Sequence, residues 1–264
     1  MSASPDMKPA LETLRAAISR LEGHTNRRRS VLPFDVREID SRLPGGGLAL
    51  GALHEVAGGG NDALHGAAAG QFVAGIAART RGKVLWIVTR QDVFGPALKQ
   101  AGLSGRRVIY VEAASEADVL ACFEEGLRHG GLGAVVADVA RLSMTASRRL
   151  QLAAETSGAL GLAIRRWHRQ TEAAVFGHPT ASATRWRVSV LPSVGLPVPG
   201  VGRPRWLLEL IRARAGECAD FEVEACDAKG RLAYSRGLAG GLALPAALAN
   251  RPDQEAAGAR RASA

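Results

Sequence analysis

Five short, nearly continuous apolar runs constrain this chain more than any other feature: Leu53–Ala57, Lys83–Thr89, Arg107–Val111, Gly133–Asp138 and Leu160–Ile164. Stretches with helical spacing lie between them. One is Ala-rich, from Ala67 to Ala78; a short one runs from Pro96 to Gln100 and ends at Gly102. Another is capped by Ser115 and carries Val119, Leu120, Phe123 and Leu127, and a last one covers about Thr145 to Ser157. Strands that are apolar on both faces, alternating with helices, specify a parallel sheet covered on both sides. Ligands of such sheets gather at the carboxyl ends of the strands. Those ends carry Gly58–Gly60, Thr89–Asp92, Asp138 and Arg165–Arg169.

From about Ala183 the pattern becomes one of alternation, in Thr184–Val190, Arg205–Arg214 and Phe221–Glu224. These segments predict antiparallel strands that extend the sheet, with a Pro/Gly-rich connection from Pro192 to Pro204. The expected organisation has three parts. Residues 1–30 form an amphipathic helix and a basic linker, residues 31–240 an α/β core, and residues 241–264 a disordered Ala-rich tail bearing Arg260 and Arg261. In the first part, Leu11, Leu14, Ile18 and Leu21 make one apolar stripe over Pro9–Glu22. That stripe suits docking on a partner or a second subunit and equally suits packing on its own domain. No apolar run reaches the 18 or more residues of a membrane span, and Met1–Pro9 lacks a secretory apolar region. The scattered Cys122, Cys218 and Cys226 read as reduced thiols. A cytoplasmic protein is expected.

The first strand runs into Gly58-Gly59-Gly60-Asn61-Asp62-Ala63-Leu64-His65-Gly66 and then into the Ala-rich helix. Strand, glycine-rich turn and helix is the layout that aims backbone N–H groups and a helix N-terminus at phosphates. A working loop of this kind also needs a Lys for the phosphates and a hydroxyl for Mg²⁺. Between Ser41 and Thr80 there is no Lys, Ser or Thr, and between Arg42 and Arg79 no Arg. ATP hydrolysis is therefore not expected, no catalytic residue is assigned, and no cofactor is required. Weak nucleotide binding through the Gly58, Gly59 and Gly60 amides stays open, beside the reading of these glycines as a relic turn. Asp138 ends the fourth strand, where a metal-holding aspartate would sit. With no hydroxyl opposite, it is expected to cap or to pair with a nearby Arg.

The formal net charge of +9 and pI near 10.4 favour an anionic partner such as nucleic acid. Arg165-Arg166-Trp167-His168-Arg169, directly after a buried strand, is the best candidate for single-stranded or damaged DNA, with Arg supplying phosphate contacts and Trp167 stacking on a base. Arg148 and Arg149 on the preceding helix extend that patch. The competing reading is a solvated strand end with Trp167 buried. His54, His65 and His178 lie too far apart to suggest zinc, and Ser189 and Ser193 lack a hydrolase nucleophile's setting.

Ile39-Asp40-Ser41-Arg42-Leu43 followed by Pro44-Gly45-Gly46-Gly47-Leu48 resembles the segment that precedes the phosphate loop of RecA-type recombinases. The order of the remaining parts is similar too, through Asp138 and the alternating strands. Within that superfamily, Ala153-Ala154-Glu155, Ala159-Leu160-Gly161-Leu162, Ala183-Thr184-Arg185-Trp186-Arg187 and Gly202-Arg203-Pro204-Arg205-Trp206 resemble ImuA, over roughly Asp35–Leu232. The resemblance implies a RecA-like fold of the P-loop NTPase superfamily. It also implies an accessory role in the SOS response and translesion synthesis, beside a Y-family-like ImuB protein and an error-prone C-family polymerase. RecA contact, self-association and nucleoid association follow as expectations of the same kind. In RecA-like ATPases a glutamate at the end of the second strand orients water; Arg90 or Gln91 stands near that place here, and Asp92 only after a slip of register. Three alternatives remain at this stage: an active ATP-dependent RecA-like DNA-binding protein, a SulA-like inhibitor of cell division, and a plain structural subunit whose basic character is only compositional.

Overall fold

Apolar, β-branched runs of five to eight residues are too short for helices, and in the computed structural model four of them form the centre of one sheet while the run Arg107–Val111 becomes its edge, with Ile109 and Tyr110 exposed. The structure describes residues 30–60, 62–166, 174–193, 200 and 202–234. The amphipathic segment Pro9–Glu22, Trp167, His168, Arg169 and the tail 241–264 lie outside the described residues.

A two-stranded hairpin leads in, with β1 (Val31–Leu32) antiparallel to β2 (Leu48–Ala49) and a one-turn helix α1 (Arg37–Asp40) between them. The Asp40 carboxylate accepts from the Phe34 N–H at 2.7 Å, and Gly45 and Gly46 turn the chain at φ 75° and 80°, a region that favours glycine. The core follows as β3 (Leu53–Gly58), a π-helical turn Asp62–Gly66, α2 (Ala67–Ala78), β4 (Lys83–Val88), α3 (Gly95–Gln100) and β5 (Val108–Glu112). Next come α4 (Glu116–His129), β6 (Leu132–Val139), α5 (Met144–Ser157) and β7 (Leu160–Arg165). The chain ends in β8 (Thr184–Leu191), β9 (Arg205–Ala213), β10 (Ala219–Glu224) and β11 (Ala233–Tyr234). The nine-stranded sheet has the order β11-β10-β9-β8-β3-β7-β6-β4-β5.

Ser115 caps α4 as expected, its hydroxyl accepting from the Asp118 N–H at 3.2 Å, and Ser143 does the same for α5 through Ala146. Both helices end at a left-handed glycine, Gly130 and Gly158. One expectation needs correction. β8 is not antiparallel to the core: it pairs parallel to β3, His54 opposite Thr184, and the antiparallel part begins only at β9. The link between β7 and β8 is long enough to carry the chain back to the sheet's starting end, which a parallel pairing requires.

The central strands β3, β4, β6 and β7 are buried on both faces, while β5, β9 and β10 leave one side partly open. On one face, α2 and the hairpin meet β8 and β9: the Phe34 and Phe72 rings lie parallel at 5.9 Å, and Trp186 meets both edge-on. On the other, Phe123, Leu127, Leu150 and Ala154 from α4 and α5 cover Val135, Ala137 and Ala163. No helix among the described residues is long and apolar enough to cross a membrane.

Candidate functional site at the carboxyl ends of the parallel strands

The loop after β3 is closed on itself. The Gly59 N–H donates to the Val188 carbonyl at 2.8 Å, so that amide already has a partner. A Cβ on Gly59 would stand 1.9 Å from the Ser189 hydroxyl, and one on Gly60 2.7 Å from the His65 ring. His65 in turn accepts the Val190 N–H on Nδ1 at 3.1 Å, which places its proton on Nε2, and burial lowers its pKa. Neighbouring side chains thus account for the small residues here. Gly66 ends the π-helical turn, and Ala67 and Ala68 follow it where loops of the nucleotide type carry Lys and Ser/Thr.

Arg166, the residue after β7, sits among three carboxylates. Its Nη2 lies 2.7 Å from Asp62 Oδ2, with Nε 3.2 Å from both Asp62 oxygens. Its Nη1 lies 2.8 Å from Asp92 Oδ2 and 3.2 Å from Asp138 Oδ2. Partial burial opposes the charge on Arg166, but the three aspartates outweigh it and hold the guanidinium more firmly protonated than usual. Burial pushes the Asp138 carboxyl up to about 6 against the pull of Arg166. Its Oδ1 is buried and has no hydrogen-bond partner. The expected pairing of Asp138 with a nearby Arg is what the structure shows. Asp92 does reach the site, while Gln91 turns away to donate to Glu112 at 2.5 Å.

Two clefts flank Arg166. One, about 290 Å³, is lined by Thr89, Arg90, Asp92, Asp138, Arg141 and Arg166. The other, about 240 Å³, lies between the loop and Phe94. Both fall under the roughly 300–1,000 Å³ of ordinary ligand sites. Among the described residues no group of three or more His, Cys, Asp or Glu is placed to hold a metal ion.

Arg165 corrects another expectation. It was a DNA-contact candidate, yet its side chain is 1% exposed and points into the sheet, where Nη1 meets Glu55 Oε2 at 2.8 Å. Strand alternation explains this: Arg165 and Arg166 leave β7 on opposite sides. Arg166 is likewise committed to aspartates rather than open to a phosphate. Glu55, fully buried in β3, also takes the Ser182 hydroxyl at 2.7 Å, the Thr180 hydroxyl and Arg185 Nη2 at 3.2 Å. Burial alone would raise its pKa; the Thr180 hydroxyl, Arg185, Ser182 and Arg165 prevail and hold it below the ordinary value. Phe176 lies beneath both guanidinium groups, at 5.1 Å from Arg185 and 5.9 Å from Arg165. Of the remaining candidates, Arg148 is exposed on α5, and Arg149 pairs with Glu124 of α4.

Sequence reading missed the Asp62–Arg166 pair and the Glu55 network. The second had a signal: Glu55 inside an apolar strand, with Arg165 and Arg185 on what become its two neighbours.

A parallel sheet in this order, with a glycine loop after its first core strand and an aspartate ending β6, defines a RecA-type α/β domain. A crystal structure of the RadB recombinase is similar, with a TM-score of 0.52 at 16% identity over 77% of this chain and 99% of that one. "Protein ImuA" of Caulobacter vibrioides, from strain NA1000 / CB15N and from strain CB 15, is 38% identical over 218 residues, covering 79% of this chain and 88% of the relative. The chain belongs to the ImuA family. No protein-family profile matches it.

Proposed function

We propose that this protein is a non-catalytic RecA-like accessory factor of damage-induced mutagenesis. It serves as a platform for an ImuB-like protein and an error-prone C-family polymerase. Membership of the ImuA family supports the cellular role. The observation that carries the non-catalytic part is Arg166 set among Asp62, Asp92 and Asp138. Phosphoryl transfer rests on positioning and on positive charge brought to the phosphates. Here the Arg166 charge is already neutralised by three carboxylates, and the loop amide of Gly59 is spent on Val188.

DNA contact, on this reading, falls to exposed arginines such as Arg148 and to the segment that follows Arg166, not to Arg165. The chain acts in the cytoplasm, next to the nucleoid. The deciding experiment incubates the purified full chain with Mg²⁺ and ATP, with and without single-stranded DNA, and measures phosphate release and retention of a fluorescent ATP analogue. Neither is expected at millimolar nucleotide. Turnover that disappears on Arg166→Ala would support the active-ATPase alternative and end this proposal. For the partners, co-purification with the ImuB-like protein is expected from the full chain, and its absence would remove the platform reading.

A further inference from the structure

We infer that β5 is a dimerisation edge: two copies of this chain pair their β5 strands antiparallel about Tyr110 and join their sheets into one. β5 is the outermost strand on the β4 side of the nine-stranded sheet and is five residues long. Ile109 is 44% exposed and Tyr110 49%. Edges of native sheets are guarded by Lys, Pro, a bulge or a covering element. From Val108 to Val111 there is no Lys or Pro, and the register with β4 runs without a shift. The flanking polar groups are turned inward. Arg107 donates to the carbonyls of Ala78 and Thr80 at 2.7 Å and of Gly82 at 2.8 Å. Lys83 Nζ donates to the Arg106 carbonyl at 2.7 Å, and Gln91 donates to Glu112.

One hydrogen bond fixes which backbone groups face outward. The Ala113 N–H donates to the Val88 carbonyl at 2.8 Å. The N–H and C=O of one residue point to the same side of a strand, and the side alternates along it. Ile109 and Val111 therefore bond toward β4, while Val108, Tyr110 and Glu112 present N–H and C=O to the open edge. The sequence of the edge selects a second copy as its occupant. Antiparallel pairing centred on Tyr110 sets Tyr110 against Tyr110 and Val108 against Glu112, so every outward residue meets an outward residue. On the face where Val111 packs with α4, Ile109 stands opposite Val111 of the second copy, in the closer kind of cross-strand pair. Charge agrees with this direction. Exposed Arg106 lies at one end of the edge and exposed Glu112 at the other, so antiparallel copies bring unlike charges together and parallel copies would stack like on like. Such a contact is self-complementary and closes at two chains. It is independent of the proposed function, since none of these residues touches Arg166 or its aspartates.

Two measurements test it. Sedimentation of the full chain over a range of concentrations should show a dimer that dissociates on dilution. Tyr110→Lys, which sets two like charges on the axis, should weaken association at least tenfold and leave the circular dichroism spectrum unchanged. A monomer at every concentration, an assembly that grows past two chains, or a dimer indifferent to Tyr110→Lys overturns the inference. The second measurement reads the register, in chains with Cys122, Cys218 and Cys226 replaced by Ala. Mixing Ile109→Cys with Val111→Cys should give a disulfide between chains at least fivefold faster than Ile109→Cys alone. The mixed pair has Cα atoms about 4.5 Å apart, whereas two copies of position 109 lie beyond the roughly 7 Å that a disulfide spans. Equal rates overturn the pairing about Tyr110.

Discussion

Arg166 Nη2 and Asp62 Oδ2 lie 2.7 Å apart, so the residue that leaves β7 is tied to the turn that opens α2. Removing the cation should unbalance the site. Arg166→Ala leaves Asp62, Asp92 and Asp138 facing one another, and loses about 1–3 kcal/mol of stability. Because Asp138, already pushed up by burial, then loses the pull of Arg166 and protonates more readily, acidification should restore part of that loss. Urea titrations at pH 8 and pH 5.5 read the difference; an equal loss at both values would rule out the electrostatic account.

Glu55 neutralises two buried guanidinium groups at once. Glu55→Gln keeps the size and some hydrogen bonding but leaves Arg165 and Arg185 without their counter-charge. A cost of about 3–5 kcal/mol is expected from breaking such a pair. Thermal melting checks it, and a shift of under a degree would show that water already screens the network.

Asp138 and His54 impose opposite pH trends. The Asp138 carboxyl titrates near 6 in the fold against 3.8 as its ordinary value, so its charge costs stability above about pH 6 and the cost fades as the pH falls toward 3.8. Asp138→Asn should therefore gain on the parent protein as the pH rises through 6. The comparison is the difference in melting temperature between the two proteins across pH 4.5–8; a constant difference would contradict it.

His54 is the acid-sensitive partner. Nε2 donates to the Ala49 carbonyl at 2.9 Å, and Nδ1 accepts from the Thr184 hydroxyl at 2.7 Å, which itself accepts from the Trp186 indole. Burial lowers its pKa from 6.5 to about 4. The unfolded chain takes up this proton first, so stability is complete above pH 6.5 and declines as the pH falls from 6.5 toward 4. His54→Gln should be less stable at pH 7 yet flatter over that window, as followed by urea titration; an unchanged slope would assign the acid loss to other groups.

Gly59 separates the two readings of the glycine loop. If close packing requires it, Gly59→Ala is destabilising and Ser189→Gly, which removes the hydroxyl it would strike, relieves most of the cost. A double-mutant cycle measures the coupling, expected at about 1–3 kcal/mol. Additive effects would mean that the overlap with Ser189 is not what demands glycine.

Much of the fold was legible because periodicity is a backbone-level signal. The runs that became β3 to β7 were marked by unbroken apolar residues, and Ser115 marked the start of α4. The direction of β8 was not legible: alternation in Thr184–Val190 reports one protected face and carries no information on strand direction. At the site, the missing Lys and hydroxyl could be read from residue types alone. What fills their place could not, because Arg166 meets Asp62 across 104 positions of sequence. The adjacent Arg165 and Arg166 read as one basic patch until the strand sent them to opposite sides.

Glu55 also staples the two roots of the segment 167–173, holding Arg165 on one side and Thr180, Ser182 and Arg185 on the other. With both flanks pinned by a buried carboxylate, the separation of Arg165 from Thr180 is set by the sheet and not by the residues between them. Closure cost grows only slowly with length, so a longer insert placed between these roots is expected to leave the domain folded.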